Sequence, residues 1–501
     1  MFVFIFRRDY RLDDNLGLIE CLKRAKEQDK KVLPIFIYNK AQIESGKNPY
    51  FSNNAMQFLV ESIRDLESQI KEKGGTLHKF IVKDTDEEID ILKSITPAVS
   101  HVYTNMDLTP YARQRDDKLQ KNLKMKEISF RTIGDYTLFK MDEPKTKTAE
   151  GTTYQIHSYL YKKIGKLHDI IPKVNHLSSS SSLAVFMKAP IKGVEKKYIM
   201  TSEKESSLYK KNDELSVHGG REQGIKRLKA LEKGEFKKYD MSRDEMAREE
   251  GTTRLSAYLK YGCLSIREVY WTAFDAYGLK NPINRELFFR EFYYNIVWSY
   301  PRVLEGMKTK KNKKNKNQSF NDIDIEWRSG KEANRDLEAW KKGKTGVPMV
   351  DAGMRQLNTT GFMHNRARML TSMFLVRDLL LDWRWGERYF ATQLVDYDPS
   401  QNNAGWMWSS GLAPYATPYY RTMNPYTQQR RFDKEAKYIK KWVPELEDVD
   451  PKDIEKWEEE KTRTLPKYKD IGYPKPIIED HTERIRDVER IYKKAYMENK
   501  K

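Results

Sequence analysis

Two apolar runs near the amino terminus, FVFIFRR (Phe2–Arg8) and KVLPIFIYN (Lys31–Asn39), decide the fold of the first part of this 501-residue chain, because an amphipathic segment around Leu16 to Glu27 separates them. A short apolar run, a stretch of helical period and a second apolar run read as strand, helix, strand. GTLHKFIV (Gly75–Val82), HVYTNM (His101–Met106) and ISFRTIG (Ile128–Gly134) continue the alternation. Strands joined through helices pair in parallel, since each crossover returns the chain in the same direction. The reading is a doubly wound parallel α/β sheet over residues 1–134, with ligands expected at the carboxyl ends of the strands.

Outward from that unit the pattern changes twice. Over 135–217 it dissolves into DEPKTKTAEGTTY (Asp142–Tyr154) and a serine run, Ser178 to Ser182. This stretch is expected to be a long connection crossing the surface, part of it mobile. Over 218–495 the chain turns helical, with periodic segments at Gly220–Leu231, Arg254–Tyr261, Ile266–Tyr277, Glu286–Trp298, Gly353–Leu357 and Asn365–Leu381. All ten tryptophans lie at or after Trp271, so the two parts have differently built cores. One break, KTKKNKKNKNQ (308–318), is basic and polar. It is a solvated loop, or one that grips phosphates beside a binding face.

With 92 Lys plus Arg against 73 Asp plus Glu, the formal charge is +19. That excess favours a polyanionic partner through counterion release, although a generally lysine-rich proteome gives the same balance. Cys21 and Cys263 suggest neither a metal site nor a disulfide framework, which points to a reducing, intracellular compartment. No apolar run approaches the ~20 residues needed to cross a bilayer. An apolar start followed by charge also reverses the order of a signal peptide.

Several constellations fall in the helical part. EEGTTRLSAYL places Gly251, Thr252, Thr253 and Ser256 at a helix start, which is either an ordinary cap or an anion site suited to a pyrophosphate. RELFFREFYYNI puts Glu286, Phe289 and Arg290 on one helix face, as a core edge with a salt bridge or as the lining of a pocket that hydrogen-bonds and stacks a base. In TGFMHNRARML, Asn365 and Met369 stand one turn apart with Arg368 beside them; Asn365 is a cap or a ligand contact. LVDYDPSQNNAGWMW (Leu394–Trp408) packs two carboxylates, two asparagines and two tryptophans into a run that is costly to bury without a partner.

Taken together, FRRDYRLDDN (Phe6–Asn15), TNMDLTPYARQRD (Thr104–Asp116), EGTTRLSAYLKYGCLS (Glu250–Ser265), GKTGVPMVDAGMRQLNTTGFMHNRARM (Gly343–Met369), LLLDWRWGERYFATQLVDYDPSQNNAGWMW (Leu379–Trp408) and PYYRTMNPYTQQRRFD (Pro418–Asp433) resemble the photolyase/cryptochrome family. The likeness spans nearly the whole chain and is most marked toward class I cyclobutane pyrimidine dimer photolyases. It implies a Rossmann-like sheet domain and an all-α domain binding a U-shaped FAD, with Leu394–Trp408 around the isoalloxazine. By motif, Asn402 would face flavin N5, Asp396 would pair with Arg368 beside the ring, and Asp398 would contact the same region. Thr252, Thr253, Leu255 (through its backbone) and Ser256 match the family's pyrophosphate contacts, and Tyr239 a further FAD contact at one residue's offset.

The resemblance further implies light-driven electron transfer from reduced FAD to a pyrimidine dimer flipped out of ultraviolet-damaged DNA. Glu286 matches the glutamate that hydrogen-bonds the dimer; Asn365, Met369 and Trp408 match residues lining the same cavity. Arg290 and Arg421 are candidates for the damaged strand's phosphates. Trp406, Trp383 and Trp327 match the electron-relay tryptophans, with Trp327 and Trp340 spaced more widely than the pattern. A monomer is the family's default. The family's antenna is methenyltetrahydrofolate, a deazaflavin or a second flavin, or the site is empty; any antenna is expected between the domains near Asn105 to Tyr111.

Two departures fall in the lesion pocket. Phe289 stands where the class carries a tryptophan, and Pro414 and Tyr415 intrude behind Trp408. They keep open a photolyase for another ultraviolet lesion, such as a (6-4) product or its Dewar isomer. Met363 and Met369 replace the two histidines of the (6-4) branch, which argues against that branch's acid–base chemistry. A cryptochrome, sensing blue light without repair, is the third expectation.

Overall fold

The computed structural model describes residues 1–177, 186–188, 190–305, 324–413 and 422–499. The serine run, the basic stretch 308–318, Pro414, Tyr415 and Arg421 lie outside them. Five strands, β1 (Phe2–Phe6), β2 (Val32–Asn39), β3 (His78–Val82), β4 (His101–Asn105) and β5 (Ser129–Ile133), form one sheet in the order β3-β2-β1-β4-β5. Every pairing is parallel, with Phe2 opposite Val32 on one side and His101 on the other. β1 and β2 are buried along their whole length, and so they read as continuous apolar runs rather than as alternation.

Helices α1 (Leu16–Glu27), α2 (Asn53–Glu72), α3 (Thr85–Ser94) and α4 (Pro110–Lys124) flank the sheet. Side chains of Asn15, Ser52, Asp84 and Thr109 accept from their first-turn N–H groups and fix where these helices begin. Strand order reverses between β1 and β4. The crevice there gathers Arg7 and Arg8 after β1 with Asn105 and Asp107 at the end of β4.

The connecting stretch departs from expectation. Leu138, Phe139, Leu160, Leu167, Ile171 and Met200 are all buried in the main core, so this polar-looking segment is stapled inward by widely spaced apolar residues. Its short helix α5 (His157–Tyr161) packs on the helical domain.

The helices that position the site follow: α6 (Tyr239–Ser242), α7 (Ser256–Lys260), α8 (Ile266–Tyr277), α9 (Pro282–Ser299), α10 (Asn365–Met373), α11 (Trp383–Gln393), α12 (Pro399–Ser410) and α13 (His481–Asn499). α8 opens with a capping box, Ser265 and Glu268 bonding each other's backbone N–H, and stops at Gly278 with φ 79°. The single helix expected over Asn365–Leu381 instead ends at Met373 and widens into a π-helical turn, Phe374–Asp378.

Buried ions join the two parts. Arg267 of α8, 1% exposed, donates to Asp14 at 2.9 Å and to Asp135 at 2.7 Å, while Arg11 donates to Asp135 at 2.6 Å. Ser265 donates to the same Asp14 carboxylate. Removing one member of such a network leaves an uncompensated charge and costs about 3–5 kcal/mol.

Candidate functional site

Three residues singled out in sequence meet at one node. Asp396, 8% exposed in the loop between α11 and α12, accepts from Nη2 of Arg368 at 3.0 and 3.1 Å and from the hydroxyl of Ser256 at 2.7 Å. Nε of Arg368 donates to the carbonyl of Met363 at 2.8 Å. The guanidinium is thus locked on one side, while Nη1 carries no protein partner among the described residues. Leu255 precedes α7 and is buried; Thr252 and Thr253 lie half-buried just before it, and Arg254 between them and Leu255 takes φ 52°. Tyr239 shares a hydrogen bond with Thr253; desolvation and the nearby Glu286 charge push its phenol up to about 12.

Asn402 lies on α12, and its amide donates to the carbonyl of Glu387 at 3.1 Å and to its carboxylate at 3.0 Å. Burial raises the Glu387 carboxyl, against hydrogen bonds from Asn402 and Tyr397. Sequence reading missed Glu387. The available signal was a carboxylate four residues after Trp383, on the face that also buries Gly386 and Phe390.

Segment 239–244 straps this region between two helices. Arg243 donates to Glu286 at 2.8 Å, Arg285 to Asp240 at 3.1 Å, and Arg366 of α10 to Asp244 at 2.6 Å. Desolvation raises the Glu286 carboxyl, opposed by the charges of Arg243 and Arg285. Asn365 and Met369 touch along α10, amide nitrogen to sulfur at 3.8 Å, whereas the capping acceptor is the ring of His364. Phe289 is half-buried and lies flat against His157 of α5, centroids 3.4 Å apart and planes at 8°.

Two of the side chains singled out in sequence are engaged between the domains. The carboxylate of Asp398 caps α12 through the N–H groups of Ser400 and Gln401 and accepts from Arg8 at 2.6 Å, Tyr136 at 3.2 Å and Tyr294 at 2.8 Å. Its side chain joins the two domains. Desolvation there is outweighed by Arg8 and Lys260, which hold it down at about 2. Arg290 likewise turns into this seam: it donates to the Tyr136 carbonyl at 2.8 Å and lies between the Tyr136 and Tyr294 rings at 4.4 and 4.6 Å.

Trp406 and Trp383 are buried in one apolar cluster, against which Trp327 and Trp408 pack half-buried. Trp406 meets Phe390 edge-on at 4.9 Å and Trp340 at 6.1 Å; Trp327 meets Tyr492 of α13 at 6.3 Å. Among the described residues no group of His, Cys, Asp and Glu could hold a metal ion, and no helix is long and apolar enough to cross a membrane.

Comparison with known proteins agrees with both halves. Residues 2–176 match the DNA photolyase family domain, and residues 283–494 match the FAD binding domain of DNA photolyase. The chain is 33% identical over 495 residues to the deoxyribodipyrimidine photo-lyase of Alkalihalophilus pseudofirmus, covering 96% of this chain and 95% of that one. To that of Escherichia coli it is 30% identical over 500 residues, covering 96% of each. The archaeal photolyase from Sulfolobus tokodaii, solved with two FAD molecules, superposes with a TM-score of 0.79 at 32% identity, covering 98% and 99% of the two chains. A Synechocystis cryptochrome, 22% identical with a TM-score of 0.81 and coverage of 98% and 99%, shares the fold. A five-strand parallel sheet domain, a helical FAD-binding domain and full-length relatives at this identity make the chain a member of the DNA photolyase family.

Proposed function

We propose that this DNA repair enzyme splits cyclobutane pyrimidine dimers in light, with FAD held by the helical domain. The supporting observation is the node of Ser256, Arg368 and Asp396. The donor set fits FAD: an arginine fixed by three contacts keeps one nitrogen unspent, and Thr252 and Thr253 lie half-buried just ahead of the helix that Ser256 opens. The naming of full-length relatives as deoxyribodipyrimidine photo-lyases supports the same substrate.

Bound in reduced form, FAD supplies the light-excited electron donor. In this reading Arg368 balances negative charge beside the ring and Asp396 keeps Arg368 in place, while Asn402, held by Glu387, presents its amide. Tyr239, Thr252, Thr253 and the backbone of Leu255 hold the cofactor's phosphates and tail. Glu286 hydrogen-bonds the flipped dimer, Asn365 and Met369 line the pocket, and Phe289 and Trp408 supply ring walls. Trp406, Trp383 and Trp327 carry electrons inward when the cofactor has to be reduced. Any antenna chromophore would take the crevice near Asn105 to Tyr111.

The His157–Phe289 stack favours one second reading, a photolyase for an altered lesion, because a covered ring offers a different wall. Light-dependent repair of oligonucleotides carrying a cyclobutane thymine dimer, a (6-4) product or its Dewar isomer decides. Loss of the cyclobutane dimer alone is expected. Activity on another lesion only would move the substrate, and none with reducible FAD bound would favour a photoreceptor.

A further inference from the structure

Helix α5 has two unlike faces. Inward, His157 stacks on Phe289, Leu160 is buried and Tyr161 meets Phe288 edge-on at 5.6 Å, so the helix is pinned to the side of α9 that carries Glu286 and Phe289. Outward it exposes Ile156 (41%) and Tyr159 (52%). Among the described residues six large apolar side chains stand exposed, and three of them, these two and Met241 (67%) of α6, belong to elements packed on α9. Exposed apolar groups gathered on one rim mark a contact surface.

The stretch that follows Tyr159 is basic. Lys162, Lys163 and Lys166 follow Tyr159 with no carboxylate before Asp169, and Nζ of Lys162 stands 5.3 Å over the Tyr159 ring. A free aromatic face with lysines next to it stacks a base and takes the adjoining phosphates, whatever the base. Extruding a lesion leaves the bases opposite it unpaired and takes a stacking neighbour from the bases that flank it, with faces open to such a ring.

We propose that α5 is a second DNA contact, in which Tyr159 stacks on a base face laid open by extrusion of the lesion and Lys162 engages the phosphate next to it. The inference rests on the reading of the chain as a repair enzyme for flipped lesions, which places unpaired DNA at α9. The pinned inner face makes α5 a rigid shelf rather than a floating arm, and Tyr159 reaches DNA without entering the lesion pocket.

The test measures dark binding by the FAD-loaded protein, through anisotropy, of three labelled DNAs: a duplex with one cyclobutane thymine dimer, the same duplex undamaged, and the undamaged single strand. Tyr159→Ala should weaken the dimer duplex and the single strand by about five- to tenfold and the intact duplex by less than about twofold, with Tyr159→Phe close to wild type. Equal affinities of Tyr159→Ala and wild type for both the single strand and the dimer duplex would overturn the proposal and leave this rim to a protein partner. A wild type that binds dimer and intact duplexes alike would count against the repair reading instead, and the single-strand comparison would still decide the role of Tyr159.

Discussion

Nη2 of Arg368 sits between the two carboxylate oxygens of Asp396, 3.0 and 3.1 Å away, although 28 residues separate them in the chain. With Asp396 nearly sealed and Arg368 27% exposed, loss of the charge costs less than in a fully buried pair. Asp396→Asn should destabilise by about 1–2 kcal/mol, discounted for that exposure. It should also lower the FAD retained on purification. Thermal melting and the ratio of flavin to protein absorbance read both; unchanged flavin content would remove Asp396 from the cofactor site.

Glu286 is tied to Arg243 in the lesion-free protein. Glu286→Ala should leave FAD content intact, weaken dimer binding by about tenfold, as for the loss of one hydrogen bond to a charged group at about 1.5 kcal/mol, and lower repair per absorbed photon. An unaltered yield and affinity would exclude it from the reaction.

Gly386 is where α11 passes closest to Trp406. A Cβ there would lie 2.1 Å from Cη2 of the indole and 2.7 Å from Leu375, whereas one at Gly405 would meet nothing within 4 Å. Gly386→Ala should cost about 1–3 kcal/mol through overpacking and, by shifting the indole, slow photoreduction of bound FAD. Gly405→Ala is the matched control. Equal photoreduction rates in both variants would separate Trp406 from the relay.

Glu291 of α9 is wholly buried, and desolvation raises its carboxyl from 4.5 to about 7, against Arg290 and the N–H groups of Leu138 and Phe139. Between those values the unfolded chain has released the proton and the folded one keeps it, so stability from this group is present at low pH and lost as pH rises toward about 7. Asp9 and Asp351, each raised to about 6 by burial, act with the same sign. Asp398 acts oppositely, its contribution disappearing as pH falls toward about 2. Glu291→Gln should therefore melt higher than wild type at pH 8 and by a smaller margin at pH 5; parallel melting curves across that range would refute the buried charge.

What the sequence made legible follows from range. Continuous apolar runs at β1 and β2 announce strands covered on both faces, and the Ile266–Tyr277 helix carries its own cap at each end. Ser256, Arg368 and Asp396 were found by motif and do meet. Asp398 was not legible, because its partner Arg8 lies 390 residues away and a local pattern cannot say which end of a carboxylate a distant arginine will claim. The connecting stretch misled for a related reason: Leu138, Phe139 and Leu160 are too sparse among Thr, Lys and Glu to show a period, yet each fills a place in the core. Nothing in RELFFREFYYNI announces that His157 will cover Phe289.

The clamp of Arg267 on Asp14 and Asp135 also governs how this protein can be taken apart. A polypeptide ending before Ser265 would keep Arg11 for Asp135 but strip Asp14 of both Arg267 and Ser265. The remainder would carry Arg267 without Asp14 and Asp135. Each fragment would bare a charge that the whole chain neutralises, so the halves should be recovered together, by co-expression and mutual complementation, rather than one by one.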